Sequence, residues 1–269
     1  MQNGVKFLGG VLLVLGANLF AGDNKVTYSM SLVGMSMDYK EYDRSGTLIN
    51  SEASQFTDIG GFEIGYDFLL SKDMQRYAKL ETSVLYLTGD TSYTGSLLGS
   101  GAPYGSVVST TANDVIDTRI AYQVYREIDS MFSYNYGLGL GYRYWRRALS
   151  ASQIEEYTWF SVRPKIGLEV SINPQIMLST DIEYQYGIKP TMTATNIGGD
   201  FNLGSADILA FGVGMNYQLN EKIDFFIDYI LQKQTIQESN VVVSGGTGYY
   251  EPDSTAYNQY FKLGVAFKY

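Results

Sequence analysis

Ten stretches of this sequence alternate between apolar and polar residues, and this period of two is the feature that most constrains the fold. Successive side chains of a β-strand point to opposite faces of its sheet, so each stretch predicts a strand with one apolar and one polar face. In the stretch 132–145, tyrosines and leucines occupy one parity, and Asn135, Arg143 and three glycines lie on the other. The chain also carries 24 Tyr and 29 Gly, a composition that favours β structure over helix.

The connections between these stretches alternate in length. Short polar turns follow predicted strands 2, 4, 6 and 8, whereas longer polar segments follow strands 1, 3, 5, 7 and 9. An up-and-down barrel with both termini in the periplasm has this arrangement, because its periplasmic turns are short and its outer loops long. The stretches also exceed the roughly 9–11 residues with which a tilted strand crosses a bilayer. We therefore predict an all-β fold, a transmembrane up-and-down antiparallel β-barrel of about ten strands, with eight or twelve as alternatives.

The first 21 residues predict a secretory signal peptide, with Lys6 as its positive region, a short apolar run and Ala21 before the cleavage site. Residues 22–269 then form the barrel domain. The formal net charge of −9 argues against a nucleic-acid partner, because phosphate contacts need a basic surface. An exported chain whose strands carry an apolar face predicts residence in the bacterial outer membrane, with membrane lipid and lipopolysaccharide as partners.

The last eight residues, KLGVAFKY, resemble the C-terminal assembly signal of bacterial outer-membrane β-barrel proteins. The polar, glycine and two aromatic positions of that signal correspond to Lys262, Gly264, Phe267 and Tyr269. The resemblance implies that the barrel assembly machinery of a Gram-negative bacterium recognises this closing strand during biogenesis. No particular subfamily is recognised from the loop sequences.

The chain contains no His and no Cys. Outer-membrane enzymes of similar size resemble the omptin proteases, the phospholipase, the lipid A deacylases and the palmitoyl transferase, and these families use a catalytic histidine. We therefore predict that the protein is not an enzyme and has no catalytic residue, cofactor or metal site. Paired carboxylates can share acid and base roles, but Glu155 and Glu156, and likewise Asp224 and Asp228, are interpreted as solvated loop or lumen charges.

Charged residues concentrate on the inward parity of the strands. A ten-stranded barrel is narrow, so we expect opposite charges to pair across its lumen, as Glu81 would with Arg119. The predicted lumen network consists of Glu63, Asp67, Glu81, Arg119, Arg143, Arg163, Glu183, Asp228 and Lys262.

Three functions are compatible with this reading. The first is a non-enzymatic barrel, a monomer with a structural or surface-interaction role and a lumen filled by paired charges. The second is a narrow channel for small ions or polar solutes. The third is an adhesin or surface receptor that acts through long outer loops, such as the segment 91–113. Arg146 and Arg147, which follow a strand on the loop side, are candidate contacts for lipopolysaccharide phosphates.

Overall fold

The computed structural model of the chain describes residues 26–73, 76–96, 102–195 and 197–269. The predicted signal peptide lies outside the described residues. Within them the chain forms a closed antiparallel β-barrel. No helix in this described part is long and apolar enough to span a membrane.

Ten barrel strands make up the wall, and two of them are interrupted. The segments Leu48–Ala53 (β2) and Ile59–Lys72 (β3) both pair with Val26–Tyr42 (β1) and with Arg76–Gly95 (β4), so they count as one barrel strand. The segments Ile197–Asn202 (β9) and Ala206–Asn220 (β10) both pair with Ile176–Ala194 (β8) and also count as one. The prediction of an all-β barrel of about ten strands is therefore confirmed. The strands are β1 (Val26–Tyr42), β2 (Leu48–Ala53) with β3 (Ile59–Lys72), β4 (Arg76–Gly95), β5 (Val107–Glu127), β6 (Phe132–Ser150), β7 (Gln153–Asn173), β8 (Ile176–Ala194), β9 (Ile197–Asn202) with β10 (Ala206–Asn220), β11 (Ile223–Ile236) and β14 (Asp253–Lys268).

The first and last strands close the barrel. Strand β14 pairs with β11 on one side and with β1 on the other, where Met30 lies opposite Val265. At the end of this seam the Val26 amide donates to the Tyr269 carbonyl (3.1 Å), and the Tyr269 amide donates to the Val26 carbonyl (2.8 Å). Closure leaves no free strand edge, so the backbone groups of the wall can be bonded within lipid.

The outer surface of the wall carries an apolar band. Leu32 is 73% exposed and Phe160 63% exposed, values that a soluble protein would not repeat around its whole circumference. A closed barrel with this band is an outer-membrane barrel, and the predicted location is confirmed. Members of the band include Met30, Leu32, Phe62, Ile64, Leu138, Leu140, Phe160, Ile166, Leu168, Phe211, Phe225, Phe261 and Leu263.

The connections differ at the two ends. At the end where Val26 and Tyr269 lie, short turns separate β3 from β4, β5 from β6, β7 from β8 and β10 from β11, as predicted for the periplasmic side. At the outer end the prediction of long loops is partly wrong. Strand β6 reaches β7 through residues 151–152, and β4 and β5 stay paired as far as Gly95 and Val107. The polar segments continue the strand ladder beyond the membrane, because strands outside lipid can be polar on their outer face.

One outer connection is long and structured. Residues 237–252 link β11 to β14 and contain a hairpin of β12 (Val242–Ser244) and β13 (Thr247–Tyr249). We call residues 237–252 the strap. Val242 and Tyr249 of the strap pack against apolar residues inside the barrel, so the strap lies over the outer opening.

Candidate functional site

Apolar side chains fill the outer half of the barrel. Trp145 and Trp159 are 2% and 1% exposed, and Trp145 stacks on Tyr157 with ring centroids 5.0 Å apart. These side chains come from the inward parity of strands that extend beyond the membrane, where they find no lipid and pack against one another. The outer core consists of Val33, Met35, Met37, Tyr39, Ile59, Leu85, Leu87, Val115, Trp145, Tyr157, Trp159, Met192, Phe201, Leu203, Ala206, Ile208, Ile236, Ala256 and Tyr260.

A single arginine lies at the top of this core. Arg147 is fully buried and donates to Glu41 (2.8 Å), to Glu52 (2.7 Å) and to Glu155 (2.9 Å). Its guanidinium also lies 4.4 Å from the centre of the Tyr39 ring. Glu155 is the ladder partner of Arg147 on the neighbouring strand β7. Glu41 and Glu52 come from β1 and β2, which are not neighbours of β6, so the bonds to these two carboxylates cross the lumen.

A fourth carboxylate enters the cluster from the strap. The Tyr157 hydroxyl contacts Glu155 at 3.1 Å and makes a shorter contact with Glu251. Oxygen atoms of Glu41, Glu155 and Glu251 all lie within 4.8 Å of one another. We call Glu41, Glu52, Arg147, Glu155 and Glu251 the Arg147 cluster, in which four carboxyl groups share one guanidinium.

The Arg147 cluster lies outside the membrane band. On the strands that carry it, the outward side chains at the same level are charged, namely Asp38, Lys40, Arg146 and Glu156. Arg146 bonds Asp114 (3.1 Å) and Glu156 accepts a bond from Tyr144 (2.6 Å). Charged residues in the lipid-facing band destabilise a barrel, so this level lies in water or among lipid headgroups.

Burial sets the protonation of the Arg147 cluster. Burial raises the pKa of Glu251 well above its usual range, and the neighbouring Glu155 and Glu41 carboxylates raise it further against the opposing effect of Arg147. Burial also raises the pKa of Glu155. For Glu41 burial acts in the same direction, but Arg147 and a hydrogen bond from Asn50 hold the pKa below its usual value. The carboxyl groups of the cluster therefore differ in how tightly they bind a proton.

Below the outer core the lumen is polar and open to the periplasm. One cavity of about 860 Å³ is lined by residues of the periplasmic turns, among them Ser130 and Asn173, and by lumen charges such as Arg119. A second cavity of about 310 Å³ continues it towards Arg143 and Tyr260. A third cavity, between Tyr260 and Trp145, measures only about 10 Å³. The barrel is thus hollow on its periplasmic side and packed on its outer side.

The structure places the predicted lumen residues inside the barrel, and most of them pair. Arg119 lies 3.6 Å from Glu81 and 3.4 Å from Glu183. Lys262 bonds Glu63 at 2.8 Å and lies opposite Asp228 in the ladder. Asp67 lies 3.9 Å from Lys79, which is not in the predicted network.

Asp117, another inward carboxylate, joins the two remaining arginines of the network. Arg163 holds it with two bonds of 2.7 and 3.1 Å, and Arg143 lies 3.6 Å away. The Arg163 side chain lies over Gly141, where a Cβ atom would come within 2.3 Å of it. The inward glycine therefore makes room for a paired charge on the next strand.

The two arginines predicted to contact lipopolysaccharide point in opposite directions. Arg146 faces outward and is partly exposed beside Asp114. Arg147 has no exposed side-chain surface, so its assignment to lipopolysaccharide is corrected: it bonds carboxylates inside the barrel. Glu155 is likewise corrected from a solvated loop charge to a member of the Arg147 cluster.

The residues of the C-terminal signal lie along the closing strand. Lys262 and Gly264 face the lumen, and the Phe226 ring lies over Gly264. Tyr269 is 76% exposed, and its ring packs edge-on against Tyr28 at 5.8 Å. Recognition by the assembly machinery stays a prediction.

Comparisons with known proteins agree on the fold. A scan against protein-family models finds no match, and a search of the curated proteins finds none. Among solved structures, the outer-membrane protease OmpT from Escherichia coli is similar with a TM-score of 0.53 and 10% identity over 94% of this chain and 99% of that chain. The translocator domain of autotransporter NalP from Neisseria meningitidis has a TM-score of 0.45 and 10% identity over 98% and 95% of the two chains. Ail from Yersinia pestis has a TM-score of 0.36 and 11% identity over 92% and 100%.

The likeness to OmpT shows that this chain has the fold of a bacterial outer-membrane β-barrel, and the subfamily is unrecognised. It also contradicts the prediction that the protein is not an enzyme. A structure that shares this fold over almost its full length is a protease, so the barrel architecture is compatible with catalysis. The absence of histidine excludes only mechanisms that need histidine, and fold likeness at this identity assigns no activity.

Proposed function

We propose that this outer-membrane barrel does not conduct in its resting state and acts through the folded outer end that it presents at the cell surface. The observation that carries the proposal is the outer core topped by the Arg147 cluster. Fully buried side chains from β1, β6 and β7 meet inside the barrel, and close packing of this kind leaves no path for water or ions.

The exposed part of the outer end supports a surface-interaction role. Val108, Val241 and Val243 are 75%, 51% and 69% exposed on segments beyond the membrane band. Apolar side chains that remain in water without lipid favour contact with another protein or surface. Val243 lies on the strap's hairpin and Val241 directly before it. Because the hairpin packs on the outer core, the contact surface is ordered before it meets a partner.

Two measurements test the two parts of this proposal. Liposomes that contain the folded protein should not swell in iso-osmotic sugars or small ions, since the lumen is packed. Cells that display the protein should aggregate or attach to surfaces more than cells without it. The double variant Val241→Ser, Val243→Ser should lower attachment, whereas Ile128→Ser, which changes an exposed apolar residue in a periplasmic turn, should not. Equal attachment by displaying and non-displaying cells would contradict the surface role.

A gated channel is the second candidate function. The polar cavities of about 860 and 310 Å³ reach from the periplasm to Arg143. A permanently closed barrel does not account for cavities of this volume. Conduction in this case requires the outer core to move. Swelling of the liposomes only after removal of the strap would favour this second function over a permanently closed barrel.

A further inference from the structure

We propose that the contact of Glu251 with Tyr157 and Glu155 is a pH-sensitive latch. It holds the strap over the outer core while Glu251 and Glu155 share a proton, and the strap is released when that proton is lost. This inference deepens the proposed function, because it rests on the closed outer end and adds a way in which that end opens.

Hydrogen-bond stoichiometry supports a shared proton. The Tyr157 oxygen accepts from Arg147 at 3.0 Å and lies within hydrogen-bond distance of both Glu155 and Glu251. A tyrosine hydroxyl has one hydrogen, so it donates to only one of the two carboxylates. The other contact needs a hydrogen on a carboxyl group. Two ionised carboxylates at this distance would repel each other strongly in a buried site.

The side chain of Glu251 links the strap to the Arg147 cluster. The backbone of Glu251 is bonded in both directions to Ser239, through Ser239 N to Glu251 O (3.0 Å) and Glu251 N to Ser239 Oγ (2.8 Å). Its side chain then reaches Tyr157 on β7, three strands away around the wall from β11. The base of the strap is held separately, by backbone bonds to residues 202–205, and its exposed ion pair, Arg44 with Glu238, contributes little. Loss of the Glu251 contact therefore frees the strap from the cluster while its base stays bonded.

The charge around Glu251 gives the direction of the switch. The groups that act on it directly are Tyr39 and Glu41 on β1, Arg147 on β6, and Glu155 and Tyr157 on β7. Glu52 on β2 is linked to it through Arg147, and Tyr93 on β4 through Asn50 and Glu41. A carboxyl whose pKa is raised in the closed form binds its proton more tightly there. Its contribution to closure is complete at low pH and is lost as the pH rises through that raised value.

Glu41 acts in the opposite sense. Its pKa is lowered in the closed form, so its contribution is present above the ordinary glutamate value and is lost as the pH falls. The latch is therefore most secure between these two limits, and alkaline solution releases it through Glu251.

Hydrogen exchange of the full-length protein in lipid nanodiscs tests the latch. The protection of the strap amides from exchange, corrected for the intrinsic exchange rate, should fall as the pH rises and Glu251 loses its proton. The fall should be up to about tenfold per pH unit and should lie between about pH 5 and pH 10. Glu251→Gln keeps the side-chain shape without the ionisable proton and should stay protected throughout. Glu156→Gln, an outward neighbour of the Arg147 cluster, should titrate like the wild type.

Emission from Trp145 and Trp159 gives a second readout, because both tryptophans of the chain lie in the outer core. Tyr157→Phe removes the bridging hydroxyl and should loosen the strap at every pH while the barrel remains folded, which keeps the test valid if Glu251→Gln does not fold. A wild-type strap whose protection is independent of pH, or a Tyr157→Phe or Glu251→Gln variant with the wild-type pH profile, would overturn the latch. Ion conduction by a protein whose strap amides stay protected from exchange would instead contradict the closed outer end, and it would leave the latch proposal unaffected.

Discussion

Arg147 donates to Oε1 of Glu52 through two nitrogens, Nη2 at 2.7 Å and Nε at 3.2 Å, although the two residues are 95 positions apart in the chain. Both side chains are fully buried. The other oxygen of Glu52, Oε2, accepts from the Thr91 hydroxyl at 2.6 Å. These charge-assisted bonds fix the orientation of both side chains, and they join strands on different sides of the lumen. The outer end is therefore fixed by polar bonds between strands as well as by apolar packing.

Replacement of Arg147 by Met should strongly destabilise the barrel. The substitution leaves Glu41, Glu52 and Glu155 buried without their cation, a change that costs about 3–5 kcal/mol for a buried pair. The loss should grow as the pH rises, because protonation of the carboxyls relieves their repulsion at low pH. The measurement is the urea midpoint of folding in detergent, followed by the gel shift of the heated and unheated protein.

Arg146→Met is the matched control for that substitution. Arg146 is the sequence neighbour of Arg147, but its side chain is partly exposed and pairs with Asp114 at the surface. Its loss should therefore lower the free energy of unfolding by no more than about 1 kcal/mol. Equal destabilisation by both substitutions would show that the Arg147 cluster has no special role in stability.

Gly141→Ala should weaken the lumen network. The new Cβ would lie 2.3 Å from atoms of the Arg163 guanidinium, so Arg163 would have to leave its two bonds to Asp117. We expect a loss of about 1–3 kcal/mol in the free energy of unfolding. Gly198→Ala serves as control, since no atom lies within 4 Å of its added Cβ. A Gly141→Ala protein as stable as the Gly198→Ala protein would show that Arg163 moves without cost.

Arg119→Ala should leave the barrel non-conducting. Arg119 pairs with Glu81 and Glu183 in the open, periplasmic part of the lumen, and its removal enlarges a cavity without reaching the outer core. Liposome swelling by Arg119→Ala should match that of the wild type. Solute entry through Arg119→Ala but not through the wild type would place the barrier at Arg119 and would contradict a seal in the outer half.

Tyr269→Ser should lower assembly more than stability. Tyr269 is exposed and touches Tyr28 only at a ring edge, so the folded barrel loses little contact without it. If the C-terminal strand is the assembly signal, the amount of protein in the outer membrane should fall severalfold while the unfolding midpoint of the purified protein stays nearly constant. Tyr257→Ser changes an exposed tyrosine at the other end of β14 and should assemble normally.

The alternation in the sequence predicts the wall well and the outer end poorly. Strand number, closure and the inward direction of Arg119 and Lys262 follow from a period of two, because lipid and lumen impose opposite preferences on successive residues. Arg147 has the same parity as Arg143 and Trp145, and this parity alone would have indicated that it points inward. Its location in a supposed loop hid that signal.

Other members of the Arg147 cluster carry no local signal. Glu251 lies in a long polar connection and Glu52 in a segment between predicted strands. Their burial results from contacts with residues 94 and 95 positions away. Contacts at such separation depend on how the outer connections fold over the barrel, which a pattern of period two does not specify.

Single-channel recording in planar lipid bilayers tests the closed outer end most directly. The protein to be measured is the full-length mature barrel, shown to be folded by its gel shift on heating, at about pH 5, the acidic limit of the range in which the strap is expected to be released. A packed outer core predicts a flat current trace over the whole voltage range. Regular, discrete conductance steps from the wild-type protein under these conditions would contradict it.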